Sequence, residues 1–417
     1  MSGRFARGVI WNIASLAVMA ACGLGLNAII AAFYGPAVLG SFNQAYAVYI
    51  LASQIGVLGV NFSTNKYVAE YADNSQELAS IVSAALIVAL GCSIPIGTSL
   101  YYGRHAVGVF LDSPETAIAI GYVAPAVICL SINKVLVHVI NGLRRMGLFA
   151  VVTGGRYVGI FLSMLALCFF NVSGSSLAFA FLIGEGAALI CLLVIVVRIV
   201  PLTVCNLRFW VKRHFSFGAR VFMSGTLGEL NTRLDVLILG AFVSDQLVGI
   251  YSLAAMLAEG YHLLANGLAV NLNPIITQRY TQNKLDSLKS MILRGKCYFY
   301  LASLLVVGVA VLLFRPLLGV VIDLANYPGA YWVFSIHSCG ILVVSGYMPF
   351  RKALVQMGFP GLYTLQMLSG VLSNVLLNLM LIPFWGIYGA ALATVIAYAV
   401  SVLFQRFLVL RSVGIRI

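Results

Sequence analysis

Apolar runs of about 20 residues recur along the whole chain, and this restricts the fold more than any other feature. Lipid offers no partners for backbone N–H and C=O groups, so a segment that long crosses a roughly 30 Å hydrocarbon core as a helix, which satisfies its own backbone. About twelve runs fit that length. They lie near 9–33, 39–60, 79–102, 116–140, 149–172, 176–200, 217–242, 247–270, 297–321, 327–350, 362–384 and 387–410. With 61% hydrophobic and only 9% charged residues among 417, a water-soluble globular domain is excluded. The expectation is an all-α polytopic membrane protein.

The chain carries 25 Lys and Arg against 12 Asp and Glu. In a soluble protein that balance would point to nucleic acid; here it sorts by topology. If the N-terminus is cytoplasmic, the inner segments take Arg4, Arg7, Lys66, Arg144, Arg145, Lys212, Arg213, Arg220 and most of the rest, while the outer segments keep only Arg104 and Arg315. The positive-inside rule then predicts both termini in the cytoplasm and explains the net charge without a nucleic-acid partner. Arg4 and Arg7 precede an apolar run long enough to span, so the first segment is expected to be an uncleaved helix rather than a signal peptide. Trp11, Trp210, Trp332 and Trp385 fall near expected helix ends, as interfacial aromatics do. Two longer inner connections, 207–217 and 273–296, mix basic and apolar residues and suit the membrane surface.

Eight cysteines are scattered singly, with no CxxC pair and no His and Cys cluster at metal spacing, and read as small core residues; no metal or other cofactor is expected. An internal repeat is also visible. Offset by 209 positions, "AAFYGPAVLGSF" (31–42) lies over "GAFVSDQLVGIY" (240–251), pairing Ala32 with Ala241, Phe33 with Phe242 and Gly40 with Gly249. Two six-helix lobes of the same orientation, 1–205 and 206–417, are expected. A pseudo-twofold axis along the membrane normal would relate them, with a central cavity between.

Three stretches carry a family resemblance. "LNTRLDVLILGAFVSDQLVGIYSLAAMLAE" (230–259), "YGPAVLGSF" (34–42) and "GIYGAALAT" (386–394) are similar to bacterial polysaccharide flippases of the multidrug/oligosaccharidyl-lipid/polysaccharide exporter superfamily. The resemblance implies two rocking lobes that work by alternating access. It implies a lipid-linked oligosaccharide of the undecaprenyl-diphosphate type as cargo, such as an O-antigen or other lipopolysaccharide repeat unit. It also implies the bacterial inner membrane as the site, membrane lipids as surroundings and other polysaccharide assembly proteins as partners.

Seven ionisable residues other than His fall inside expected spans: Lys134, Arg156, Glu185, Glu229, Arg233, Asp235 and Glu259. Exposing all of them to lipid would cost on the order of 20 kcal/mol, so they pair or line a wet cavity. Arg156, Lys134 and Arg233 are the candidates for gripping a diphosphate, with Lys134 and His138 forming a basic stripe on one helix. The alternative for Lys134 and Arg156 is pairing with Glu185. Glu229, Glu259 and Asp235 are the candidates for ion coupling; Glu229 and Arg233, four apart, equally suit a structural salt bridge. Glu229 and Glu259 are expected near mid-depth on adjacent helices, where two nearby carboxylates would take up a proton, and Asp235 near the outer interface and only partly buried. Asn12, Asn27, Asn43, Gln44 and Gln54 either bind sugar hydroxyls or hold helices together, and Pro95 and Pro125 are expected to kink their spans.

The resemblance and these charges favour a flippase, not an enzyme. A drug or cation exporter of the same superfamily would place acidic rather than basic residues in the first-lobe cavity. A glycan polymerase or ligase would need a large outer loop, and no outer loop here exceeds about 20 residues.

Overall fold

In the computed structural model, residues 2–203 and 205–415 are described, and among them the chain is helical with no strand. The helices are α1 (Ser2–Phe33), α2 (Gly35–Val57), α3 (Val60–Glu70), α4 (Ser75–Phe110), α5 (Pro114–Gly142), α6 (Met146–Phe169) and α7 (Phe179–Ile199). They continue as α8 (Leu207–Gly240), α9 (Asp245–Glu259), α10 (Tyr261–Thr281), α11 (Leu285–Val321), α12 (Ala330–Ser345), α13 (Ala353–Gln356) and α14 (Pro360–Val413).

Local chemistry sets several boundaries. The Asn74 side chain caps α4 by accepting from Glu77 N at 3.1 Å, and Ser113 caps α5 by accepting from Thr116 N at 3.0 Å with Pro114 in the first turn. Leu58 and Gly59, both at positive φ, break α2 from α3 with a bend of 49°. Pro95 and Pro125 lie within α4 and α5, and bends of 49° and 59° fall at the α2–α3 and α12–α13 junctions.

Seven helices among the described residues are long and apolar enough to cross a bilayer, and up to nine if each bent pair is one span. That is fewer than the expected twelve, for two physical reasons. First, α14 runs 54 residues through Gly386 at φ 52° and ψ −128°, a non-helical turn between two arms. Gln366 Nε2 to Gln405 Oε1 at 3.2 Å and Asn374 Nδ2 to Thr394 Oγ1 at 3.4 Å tie those arms together as an antiparallel hairpin, matching the expected runs 362–384 and 387–410. Second, of the helices that hold the expected runs 217–242 and 247–270, α9 has only 15 residues, and α8, which carries Glu229, Arg233 and Asp235, and α10 are too polar to qualify.

The connections expected to lie on the membrane surface are helical. Residues 207–217 form the first turns of α8, and 273–296 belong to α10 and α11 except for a short break. Trp210 is buried within the first unit, where its Nε1 donates to Glu77 Oε2 at 2.6 Å, whereas Trp11, Trp332 and Trp385 are exposed. The cysteines are free thiols, none of them buried, and Cys191, Cys205, Cys297 and Cys339 are exposed. Cys92 packs against the core of the first unit, whereas the four exposed ones are not the core residues expected.

The chain forms two compact units, Met1–Tyr34 with Ser41–Glu229, and Gly35–Gly40 with Leu230–Ile417. The first has a core built from α3, α4, α5 and α7 around Ile81, Val135, Leu136 and Val196, reaching Trp210 on α8. The second has a smaller core around Ile292, Phe350, Leu354 and Val409. Outward faces remain apolar, as lipid-facing surfaces do: Val320, Phe384 and Phe169 are each at least 80% exposed.

Within the second unit, the 35–40 segment meets α9 backbone to backbone. A Cβ on Gly40 would overlap the Asp245 carbonyl, and a Cβ on Gly249 would overlap the Pro36 carbonyl. The offset that pairs Gly40 with Gly249 also pairs Pro36 with Asp245, so the contact is reciprocal under the repeat. Only glycine at both positions permits this approach.

Candidate functional site

In the first unit α1, α2, α5, α6 and α7 enclose a cavity of about 550 Å³, lined by Asn27, Asn43, Tyr46, Tyr49, Arg156, Tyr157 and Glu185 together with apolar side chains. Its mixture of apolar walls with a few convergent polar groups is that of small-molecule sites. Phe181 forms one wall, its ring stacked at 5.1–5.2 Å from Phe42, Tyr46 and Tyr49.

Glu185 is the centre of the polar network. Its carboxylate accepts from Arg156 Nη1 at 3.0 Å, Tyr49 Oη at 2.9 Å and Asn133 Nδ2 at 2.8 Å, and its side chain is 1% exposed. Asn133 also donates to the Glu185 backbone carbonyl at 3.0 Å. Three donors compensate the buried carboxylate, which an apolar environment requires. The Arg156 guanidinium also lies 4.7 Å from the Tyr157 ring centroid.

Of the residues expected to grip a diphosphate, Arg156 lines the cavity but is paired with Glu185, the alternative left open by the sequence. Lys134 does not line it; its Nζ donates to Ser53 Oγ at 2.9 Å, within electrostatic reach of Glu185 and Glu229 in the same unit. His138 Nδ1 lies 2.7 Å from the Lys134 carbonyl, closing that stripe locally. Arg233 belongs to the second unit, half-buried on α8. Asn43 donates to Asn27 Oδ1 at 3.0 Å at the cavity wall, while fully buried Gln44 accepts from Thr116 Oγ1 at 2.8 Å and serves packing.

The second unit gathers a different cluster. Asp235 is 5% exposed, not partly solvated at an interface, because both its oxygens are bonded inside the fold. Tyr251 Oη donates to Oδ2 at 2.6 Å and Val236 N to Oδ1 at 2.9 Å. Glu259, half-buried at the end of α9, is within electrostatic reach of Asp235 and Arg233. The His262 ring packs against Tyr398 at 5.6 Å and the His337 ring against Tyr251 at 5.5 Å. Tyr49, Asn133, Tyr251 and Tyr398 were not legible as site residues, since Tyr and Asn occur throughout the chain and nothing local marks these four. No cluster of metal-ligating side chains occurs among the described residues.

A protein family described as "Polysaccharide biosynthesis protein" matches residues 5–280. The chain is 26% identical over 191 residues to a probable low-salt glycan biosynthesis flippase, Agl15, of Haloferax volcanii; the match covers 45% of this chain and 39% of that relative, so it spans less than half of the relative's length. In structure it resembles the lipid II flippase MurJ in an inward closed conformation, with a TM-score of 0.78 and 15% identity over 96% of this chain and 87% of the other. An inward-facing multidrug resistance MATE family transporter of the MOP superfamily aligns with a TM-score of 0.73 and 14% identity over 98% and 95% of the two chains. These relatives are flippases and transporters, not enzymes. The chain thus belongs to the polysaccharide biosynthesis protein family, on the all-helical fold shared by MurJ and the MATE transporters.

Proposed function

We propose that the protein is a flippase that moves a polyprenyl-diphosphate-linked oligosaccharide from the inner to the outer leaflet of its membrane by alternating access of two six-helix lobes. The observation that carries this reading is the first-unit cavity, in which one arginine faces a space walled by Asn27, Asn43, Tyr46 and Tyr157. An anionic headgroup would take Arg156 from Glu185 through bidentate hydrogen bonds, while amides and aromatic faces suit sugar hydroxyls and rings. Lys134 and Arg233 would add positive charge along the path. In the second unit, Glu259 is the proposed coupling carboxylate for a proton or cation, and Asp235 is a structural one held by Tyr251.

The finer form of the reading places both termini in the cytoplasm of a bacterium and makes the cargo an O-antigen or related repeat unit on undecaprenyl diphosphate. The basic residues of the inner segments support the orientation. The match to a haloarchaeal glycan flippase supports a lipid-linked glycan without fixing its type.

One observation bears on the cation-exporter alternative: an acidic residue, Glu185, does line the cavity. Its oxygens already accept from Arg156, Tyr49 and Asn133, which leaves little capacity for a cationic ligand.

The test is mass spectrometry of polyprenyl-linked sugars in cells with the gene deleted, then restored as wild type or as Arg156→Ala at equal protein level. Accumulation of a complete lipid-linked repeat unit in the deletion and in R156A cells is expected. An unchanged lipid pool in the deletion would overturn the flippase reading, and full transport by R156A would overturn the site.

A further inference from the structure

A second basic feature lies apart from the cavity, in a groove between α3 and the first turns of α8. Along α8, Phe209, Arg213, Ser216 and Arg220 follow at spacings of four, three and four, which places them on one helical face. Lys66 and Tyr67 of α3 face that stripe, and Lys212 completes the lining of a groove of about 1230 Å³. The Arg213 guanidinium lies 4.8 Å from the Tyr67 ring centroid and 5.0 Å from that of Trp210. Lys66 Nζ lies 5.0 Å from the Phe217 centroid and 5.4 Å from that of Tyr67. Ring faces thus hold two of the four cations in place.

No Asp or Glu lines this groove, and among the described residues none of its four cations forms an ion pair. Glu77, which lies beside it, gives its carboxylate to Trp210 Nε1 and to Asn206 Nδ2 at 3.3 Å. Four uncompensated cations cannot sit in hydrocarbon, so the groove belongs at the polar boundary of the membrane. Phe209, which lines it, is 58% exposed, an apolar surface next to a cationic one. A ligand with a phosphate head and hydrocarbon tails matches both.

We propose that this groove binds the phosphate of an anionic phospholipid of the surrounding bilayer. It shares no lining residue with the cavity, so the inference does not rest on the flippase reading. Arg213 positions the head through its stacking on Tyr67 and Trp210. The exposed Lys66, Lys212 and Arg220 supply the remaining charge.

The test is native mass spectrometry of the full-length protein in detergent, titrated separately with phosphatidylglycerol, phosphatidylcholine, inorganic diphosphate and a polyprenyl diphosphate. Wild type is expected to prefer phosphatidylglycerol over phosphatidylcholine by about tenfold or more. Lys66→Gln, Lys212→Gln and Arg220→Gln combined should weaken phosphatidylglycerol binding on the order of a hundredfold, whereas Lys289→Gln with Arg294→Gln on α11 should leave it unchanged. Should the triple variant fail to fold, each single variant is expected to lose about fivefold. Equal binding of the two phospholipids, an unaltered affinity in the variants, or full displacement by inorganic diphosphate would overturn the proposal. So would a loss confined to polyprenyl diphosphate, which would reassign the groove to the cargo.

Discussion

Arg156 Nη1 stands 3.0 Å from Glu185 Oε1, an ion pair that fastens α6 to α7 across a cavity wall where the glutamate is almost wholly removed from solvent. Removing one partner of such a pair leaves the other charge buried alone, at a cost of about 3–5 kcal/mol, while neutralising both costs far less. Arg156→Ala is therefore expected to lower stability more than Arg156→Gln combined with Glu185→Gln. Thermal unfolding in detergent checks this, and a double variant less stable than R156A would contradict it.

The Tyr251 to Asp235 bond ties α9 to α8 inside the second unit. Tyr251→Phe leaves Asp235 Oδ2 without that donor in a buried place, for which about 1–3 kcal/mol of destabilisation is expected. Asp235→Asn should show a coupled, non-additive loss with Y251F in a double-mutant cycle. Additive effects would mean that the two side chains do not depend on each other.

Gly40 and Gly249 meet where a Cβ on either would overlap backbone. Backbone cannot yield as a flexible side chain does, so Gly249→Val is expected to cost about 1–3 kcal/mol or more and to impair transport at normal expression. Gly103, with open space around its missing Cβ, provides the control: Gly103→Ala should be neutral. Transport and melting temperature measured together in the two variants decide the matter.

His214 is fully buried, with Nε2 donating to the Ile81 carbonyl at 3.1 Å and Nδ1 lying 2.6 Å from Ser63 Oγ. Burial, reinforced by the neighbouring Arg213 charge, pushes its imidazole down from the ordinary 6.5 to about 4. The folded protein keeps this histidine neutral between about pH 4 and 6.5, while the unfolded chain protonates it. Stability from this residue is thus complete above pH 6.5 and is lost as pH falls toward 4, by roughly 3 kcal/mol over the window. Melting temperature should fall with pH more steeply in wild type than in His214→Gln; equal slopes would refute the assignment.

Much of the architecture was legible because it follows from local rules. An apolar run of sufficient length must become a helix in lipid whatever surrounds it, and the runs at 79–102 and 116–140 lie within α4 and α5. The sequence set Gly40 over Gly249 as matching positions of a repeat, but that they touch is given by the structure alone. Helices α8 to α10 were legible as runs but fall short as spans, because α9 has only 15 residues and Glu229, Arg233 and Asp235 lower the hydropathy of α8.

The sequence by itself determined the helical class and the rule that intramembrane charges must be compensated, since each depends on length, composition and backbone chemistry alone. Only the tertiary structure decided which partner compensates which charge. Arg156 meets Glu185 across 29 positions, Tyr49 meets Glu185 across 136, and Trp210 is buried by Glu77 across 133. Helix periodicity tells which residues share a face, but it carries no information about the helix that face will meet, and the identity of a buried charge's partner is set by that packing.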